Sequence, residues 1–366
     1  MAVSAVTSPK LAGSASLDRL RPVRLWLWSV AALVFVMVVV GGATRLTGSG
    51  LSITEWNPVS GAMPPFGAAA WQDLFAKYQE SPQYELLNQG MSLASFKFIF
   101  WWEWGHRQLG RFIGLVYLVG FVAVLLSRRV DRRTGIILLL MGLLLGTQGA
   151  VGWIMVASGL RPGMTAVAPV KLALHLTLAS LFFASVVFMA TRLARRRDGQ
   201  GEATGAATLR PQARLLCGLI LVQIALGGLV AGSHAGLIYN TWPLMDGALV
   251  PSHATLFFNQ PWFENFVDNT ALVQFNHRIV AYLVFAMALW HTVAAGRRAP
   301  GTSAARRARV VFALVLVQVA LGIATLLLVV PLHLALTHQA FAILVLGMAV
   351  VHVAALARDG APALRG

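Results

Sequence analysis

The stretch LWLWSVAALVFVMVVVGGA, Leu25 to Ala43, decides the fold. It holds no charged residue, and about 20 apolar residues in helical form cross a bilayer core about 30 Å thick. Seven further segments of the same kind follow: His106 to Leu126, Gly135 to Ala157, Lys171 to Ala190, Leu215 to Ala231, Phe275 to Ala295, Val310 to Val330 and Leu334 to Leu356. They consume most of a 366-residue chain that is 57% hydrophobic and 11% charged, with mean hydropathy +0.71. Soluble domains carry about 25% charged residues, so a soluble class is excluded. The pattern predicts an all-α integral membrane protein with eight transmembrane helices, here spans 1 to 8.

A formal charge of +16 invites a nucleic-acid reading, which its placement argues against. Of 29 lysines and arginines, 21 fall in the N-terminal tail, in the joints after spans 2, 4 and 6, or in the C-terminal tail. Arg128, Arg129, Arg132 and Arg133 form one such cluster; Arg297, Arg298, Arg306, Arg307 and Arg309 form another. The positive-inside rule then predicts that both termini are cytoplasmic, with the arginines meeting the lipid surface. Span 1 is too long for a signal-peptide core and is read as permanent. The acid-poor, Ser- and Ala-rich residues before it fit either a bacterial tail or a short organellar transit peptide. The expected location is the bacterial inner membrane, with the mitochondrial inner membrane as alternative. Cys217 is the sole cysteine, so no intramolecular disulfide forms.

An internal repeat organises the chain. Gly41-Gly42, Trp56 and Pro65 recur as Gly227-Gly228, Trp242 and Pro251 at an offset of 186; His106-Arg107 recurs as His277-Arg278 at 171. Gln148 and Gly152 recur as Gln318 and Gly322 at 170, and His175 recurs as His338 at 163. The expected organisation is two tandem four-helix bundles of the same orientation: tail 1–24, first bundle 25–195 with a long external loop 45–105, linker 196–214, second bundle 215–356, and tail 357–366. The external tryptophans are read as an interfacial belt that could collectively roof a pocket.

Four of the nine histidines follow the repeat: His106, His175, His277 and His338. Each is placed at the start of an even-numbered span, so all four share one depth near the outer surface. Ionisable groups inside a membrane are costly and tend to face the bundle interior. Their simplest chemistry is a pair of bis-histidine hemes, His106 with His175 and His277 with His338. Zinc or copper fits less well, because neither pair has a cysteine or carboxylate cluster beside it. Arg107, Arg111 and Arg278 near these histidines either hold heme propionates or snorkel to lipid phosphate. Glu103, three residues before His106, has Gln274 as its counterpart. It is read as a proton acceptor or electrostatic stabiliser beside the first site, or as an acid at a helix N-terminus. His234, His253 and His333 are assigned solvated or structural roles. His291 and His352 each follow a repeat histidine by 14 residues, about 21 Å along a helix. That spacing could hold a further heme. Their repeat equivalents are Gly120 and Met189, so one heme per half is expected, with these two in solvated or lipid-facing roles.

The segments Gly41-Gly42-Ala43-Thr44-Arg45-Leu46-Thr47, Ser49-Gly50-Leu51-Ser52, Trp56, Pro58, Gly61, Pro64-Pro65 and Glu103-Trp104-Gly105-His106-Arg107 closely resemble the heme A synthase family. Asn276-His277-Arg278, His175 and His338 fit as well, so the resemblance spans nearly the whole chain. It implies oxidation of the C8 methyl of heme O to a formyl group by two hydroxylations, the second giving a gem-diol that loses water. It also implies that His106 and His175 hold the substrate heme, that His277 and His338 ligate a resident heme b iron, and that Arg45 joins the arginines as a contact. The absence of a loop cysteine pair resembles the cysteine-free type of proteobacteria and mitochondria. Implied partners are the lipid bilayer, heme O handed over by a heme O synthase farnesyltransferase, an electron-transfer partner and a second copy of the chain in a homo-oligomer; nucleic acid is excluded. The product would serve cytochrome oxidase assembly. The competing readings are a diheme b-type electron carrier that modifies nothing, and a transporter using histidines as proton relays.

Overall fold

The computed structural model describes residues 19–194 and 206–359. Much of the two tails and of the linker read from the sequence therefore lies outside the described residues. Among the described residues, eight helices are long and apolar enough to cross a membrane. We label them α1 (Arg21–Leu46), α2 (Leu93–Leu126), α3 (Arg132–Gly159), α4 (Pro169–Arg192), α5 (Arg210–Gly232), α6 (Thr270–Arg298), α7 (Ser303–Leu327) and α8 (Leu332–Asp359). Their starts follow local chemistry. Side chains of Ser92, Asp131, Asn269 and Thr302 accept from backbone N–H groups of the first turns of α2, α3, α6 and α7, and proline opens α1, α4 and α5. Accepting first from the Thr134 hydroxyl and backbone N–H also holds the Asp131 carboxyl below its usual pKa.

One boundary departs from expectation in a way that matters. Residues 93–105, read as loop, extend α2 on its loop side, so His106 lies several turns inside the helix. Within Leu93 to Gly105, Phe96, Ile99 and Phe100 are apolar because they pack against protein, while Phe98 and Trp101 stay exposed. Phe96, Phe100 and Ile99 close a small core with Trp71 and Tyr78 from the preceding helix Gly67–Gln79. Trp71 is thus a core residue, whereas Trp56 and Trp262 are exposed as an aromatic belt would be.

Helices α2, α3, α6 and α7 pack chiefly within their own halves, while α4 packs on both α5 and α8, and α8 reaches α1. The central core gathers Leu27 and Val34 of α1, Phe182 and Val186 of α4, Leu216 and Ile220 of α5, and Ile343 and Leu346 of α8. In lipid no hydrophobic force draws helices together, so close packing and interhelical hydrogen bonds decide the arrangement. Trp26 Nε1 donates to Val116 O at 3.0 Å, Tyr117 Oη to Leu138 O at 2.6 Å, Thr292 Oγ1 to Ala308 O at 3.0 Å and Gln339 Nε2 to Val38 O at 2.7 Å.

The seams of the two halves differ. Between α6 and α7, Phe285 and Phe312 meet with ring centroids 5.7 Å apart. At the repeat-equivalent positions α2 and α3 carry Gly114 and Gly142, nothing lies within 4 Å of a Cβ built on Gly114, and the two helices meet along less of their length. Gly120 has the opposite surroundings: a Cβ there would sit 2.0 Å from Trp26 Nε1. Trp26 packs on Gly120, the position that aligns in sequence with His291 of the other half. Gly120→Ala is expected to cost about 1–3 kcal/mol by overpacking, read as a lower midpoint for thermal unfolding in detergent; an unchanged midpoint contradicts that packing.

Candidate functional site

Each of the four repeat histidines lies against a glycine of the preceding spanning helix. A Cβ built on Gly41 would stand 3.4 Å from His106 Nε2, and one on Gly227 would stand 3.3 Å from His277 Cε1. On Gly152 and Gly322 it would come within 2.7 Å of His175 Cε1 and 2.9 Å of His338 Cε1. The glycines recur with the histidines because imidazole and helix backbone could not otherwise approach so closely. His106 and His175 lie within electrostatic range of each other, as do His277 and His338. Within the first half His106 is thus near His175, and within the second His277 is near His338.

Glutamines stand one turn before three of those glycines, a signal that sequence reasoning used only to align the repeat. Gln148 Nε2 donates to His175 O at 2.9 Å, Gln223 Nε2 to His277 O at 3.1 Å and Gln318 Nε2 to His338 O at 3.1 Å. The Gln223 and Gln318 amide nitrogens also lie 3.1 Å from Nδ1 of their histidines. Gln223 was not anticipated. The spacing Gln-x-x-x-Gly, shared by residues 148–152, 223–227 and 318–322, would have found it.

Glu103 is 2% exposed and fully engaged. Its Oε2 accepts from Ser52 Oγ and Ile53 N, both at 2.8 Å, and its Oε1 accepts from Arg107 at 2.6 Å (Nη2) and 3.1 Å (Nε). It lies well inside α2, so the reading of an acid at a helix N-terminus is incorrect. The arginines likewise do not snorkel here. Arg107 donates to Ile53 O and Glu55 O, Arg111 to Asn57 O and Pro58 O, and Arg278 to Tyr239 O and Leu244 O. They pin the loops after α1 and α5 over the histidine pairs, leaving Arg111 Nη1 and Arg278 Nε buried without a partner. Arg45 reaches the other half and donates to Ala231 O. Burial, followed by that arginine's charge, lowers the pKa of nearby His234. His253 and His333 are exposed, as expected.

His291 and His352 correct the expectation of solvated or lipid-facing roles. They are 0% and 1% exposed, with Nε2 atoms 2.8 Å apart, and His291 Nδ1 lies 3.3 Å from Gln212 Oε1. The contact pairs the two Nε2 atoms, while His352 Nδ1 stays buried without a partner. A metal–imidazole bond is about 2 Å long, so rings in direct hydrogen bond leave no room for a metal between them. A heme-to-protein ratio near two, unchanged in His291→Ala, is the expected result on fully loaded protein. A ratio near three that falls to two in the variant contradicts it.

Among the described residues no group of three or more His, Cys, Asp or Glu gathers as a zinc or copper centre would need. What the fold presents is two pairs of imidazoles in glycine cradles inside apolar helical surroundings. That donor set fits iron porphyrins: His175 Nδ1 is buried without a partner, and each ring rests against a glycine.

A family model for cytochrome oxidase assembly proteins, COX15-CtaA, matches residues 24–350. The chain belongs to the COX15-CtaA family. A protein of Methylobacterium radiotolerans named heme A synthase is 62% identical over 330 residues, covering 90% of this chain and 89% of that one. One from Methylobacterium sp. strain 4-46 with the same name is 60% identical over 90% of this chain and 91% of its own length. A third, from Mesorhizobium japonicum, is 50% identical over 96% and 95%. The matched span runs from α1 to α8 and includes all four repeat histidines.

Proposed function

We propose that the chain is a heme A synthase, a membrane oxidoreductase that converts the C8 methyl of heme O to a formyl group. The observation that carries this reading is the pair of cradled imidazole couples in a chain whose relatives bear that name. His277 and His338 would ligate a resident heme b, which when bound relays electrons. His106 and His175 would hold heme O as substrate. The open α2–α3 seam supports assigning the transient guest to the first half, and the Phe285–Phe312 closure supports assigning the permanent one to the second.

The chain's own residues then have distinct tasks. Glu103, paired with Arg107, stands one turn before His106 and clamps residues 52–55 over the site. With its lone pairs occupied, it suits electrostatic stabilisation better than proton transfer. Arg111 and Arg278, each with an unused buried donor, are placed to meet propionates; Arg107 and Arg45 serve the loops and the contact between halves. Each hydroxylation replaces one C–H hydrogen by the hydroxyl of a water molecule and releases two protons and an electron pair, so water and an external electron acceptor are part of the reaction. Heme O would be received from the farnesyltransferase that makes it. The arginine clusters support cytoplasmic termini in a bacterial inner membrane, and a homo-oligomer is compatible with the long exposed apolar faces of α2 and α3.

The electron-carrier reading is not favoured, since that role leaves the Glu103–Gln274 asymmetry without a purpose. Pigment analysis of cells lacking the protein tests the choice: heme A disappears and heme O accumulates if the chain is the synthase, whereas unchanged heme types mean that it is not.

A further inference from the structure

The first half is open where the second is filled. Gly142, Gly146 and Gly149 follow one another at spacings of four and three residues and so share one face of α3. Gly142 turns that face toward α2, since a Cβ there would stand 3.1 Å from Tyr117 Cε1. Glycines on a membrane helix ordinarily let a neighbouring helix come close. Here no neighbour has come: nothing lies within 4 Å of a Cβ built on Gly146, on Gly149 or on Gly114 of α2. At the repeat-equivalent positions α6 and α7 carry Phe285, Phe312, Leu316 and Val319. Phe285 and Phe312 meet across that seam and, with Val319, pack on the central core. The gap in the first half starts at its histidine pair. Gly149 lies between Gln148, which donates to His175 O, and Gly152, which cradles the His175 ring. His175 Nδ1 is buried there without a partner. From Gly149 to Gly142 the gap runs about 10 Å along α3, away from the external loops. Leu115 and Leu143, the residues next to Gly114 and Gly142, are 58% and 60% exposed, so its surroundings are apolar and open to lipid.

We infer that the gap between α2 and α3 receives the farnesyl-derived tail of heme O and sets which heme the first histidine pair accepts. The inference rests on the heme A synthase reading above and extends it to the part of the substrate that does not react. Heme O differs from heme b in carrying that long apolar tail. A seam closed by two phenylalanines, a leucine and a valine suits a heme without the tail; a seam of glycines leaves a path for it out of the bundle. The tail then stays in contact with lipid while the porphyrin is held between His106 and His175, so substrate enters and product leaves sideways without being threaded through the helices.

Writing the second half's residues into the first tests this. Gly146→Leu and Gly149→Val add side chains where nothing stands within 4 Å, so both variants are expected to keep the wild-type thermal midpoint in detergent and the resident heme spectrum. Purified full-length protein with its resident heme in place is titrated with heme O or with additional heme b, and the bound hemes are extracted and separated by chromatography. In both variants heme O is expected to bind the first pair about tenfold or more weakly, as overpacking by a side chain implies, while additional heme b binds as in wild type. Gly149→Ala is expected to fall between wild type and Gly149→Val. Wild-type affinity for heme O in both larger variants would overturn the inference and leave the gap to ordinary lipid. Equal loss of heme O and heme b would overturn it as well, because the glycines would then face the porphyrin. If the wild-type protein binds no heme O that His106→Ala releases, the heme A synthase reading itself fails.

Discussion

Alanine at His277 or His338 is expected to abolish the low-spin spectrum of the proposed resident heme in purified protein, with the chain still inserted and accumulated. Either change removes one axial imidazole and leaves a cavity between helices that otherwise meet through Gly227 and Gly322. A five-coordinate heme with a single protein ligand loses the spectral signature of a bis-imidazole pair, and most of its affinity with it. The same substitutions at His106 or His175 are expected to spare that spectrum and to stop conversion of heme O. A full low-spin heme b spectrum in both second-half variants would end the assignment.

The second large effect is expected at Glu103. Its carboxylate ties Ser52, Ile53 and Arg107 together in a nearly dry setting, with Arg107 16% and Glu103 3% exposed at the side chain. Removing one partner of a buried ion pair leaves an uncompensated charge and typically costs about 3–5 kcal/mol. Glu103→Ala should therefore free the loop over the first histidine pair, lowering stability and heme A yield together while the second-half heme remains. Glu103→Gln separates the two contributions, because the amide can still accept from Ser52 and Ile53 but bears no charge. If heme A yield at equal protein level is normal in Glu103→Ala, the carboxylate matters to neither loop nor chemistry.

The eight spans were legible because about 20 uncharged apolar residues have few other uses. The histidine pairs were legible because they repeat with their glycines. What escaped had weaker signals. The first 13 residues of α2 looked like loop since their apolar side chains serve a small external core with Trp71, and no periodicity distinguishes protein-facing from lipid-facing aromatics. The arginines beside the histidines suggested anions or lipid. Their partners are loop carbonyls, which no side-chain pattern announces. His291 and His352 lie far apart in sequence, and their 2.8 Å contact exists only once α6 and α8 are side by side.

The bond from Gln339 to Val38 joins residues 301 positions apart and places the glutamine against Gly42, next to the glycine that cradles His106. A ribosome releases α1 first and α8 last. The earliest helix to enter the bilayer therefore waits for the latest before its glycine face at Gly42 is covered. A nascent chain stalled or cleaved before α8 leaves the Gly42 face of α1 open, so α8 is the element that completes the surroundings of Gly41 and His106.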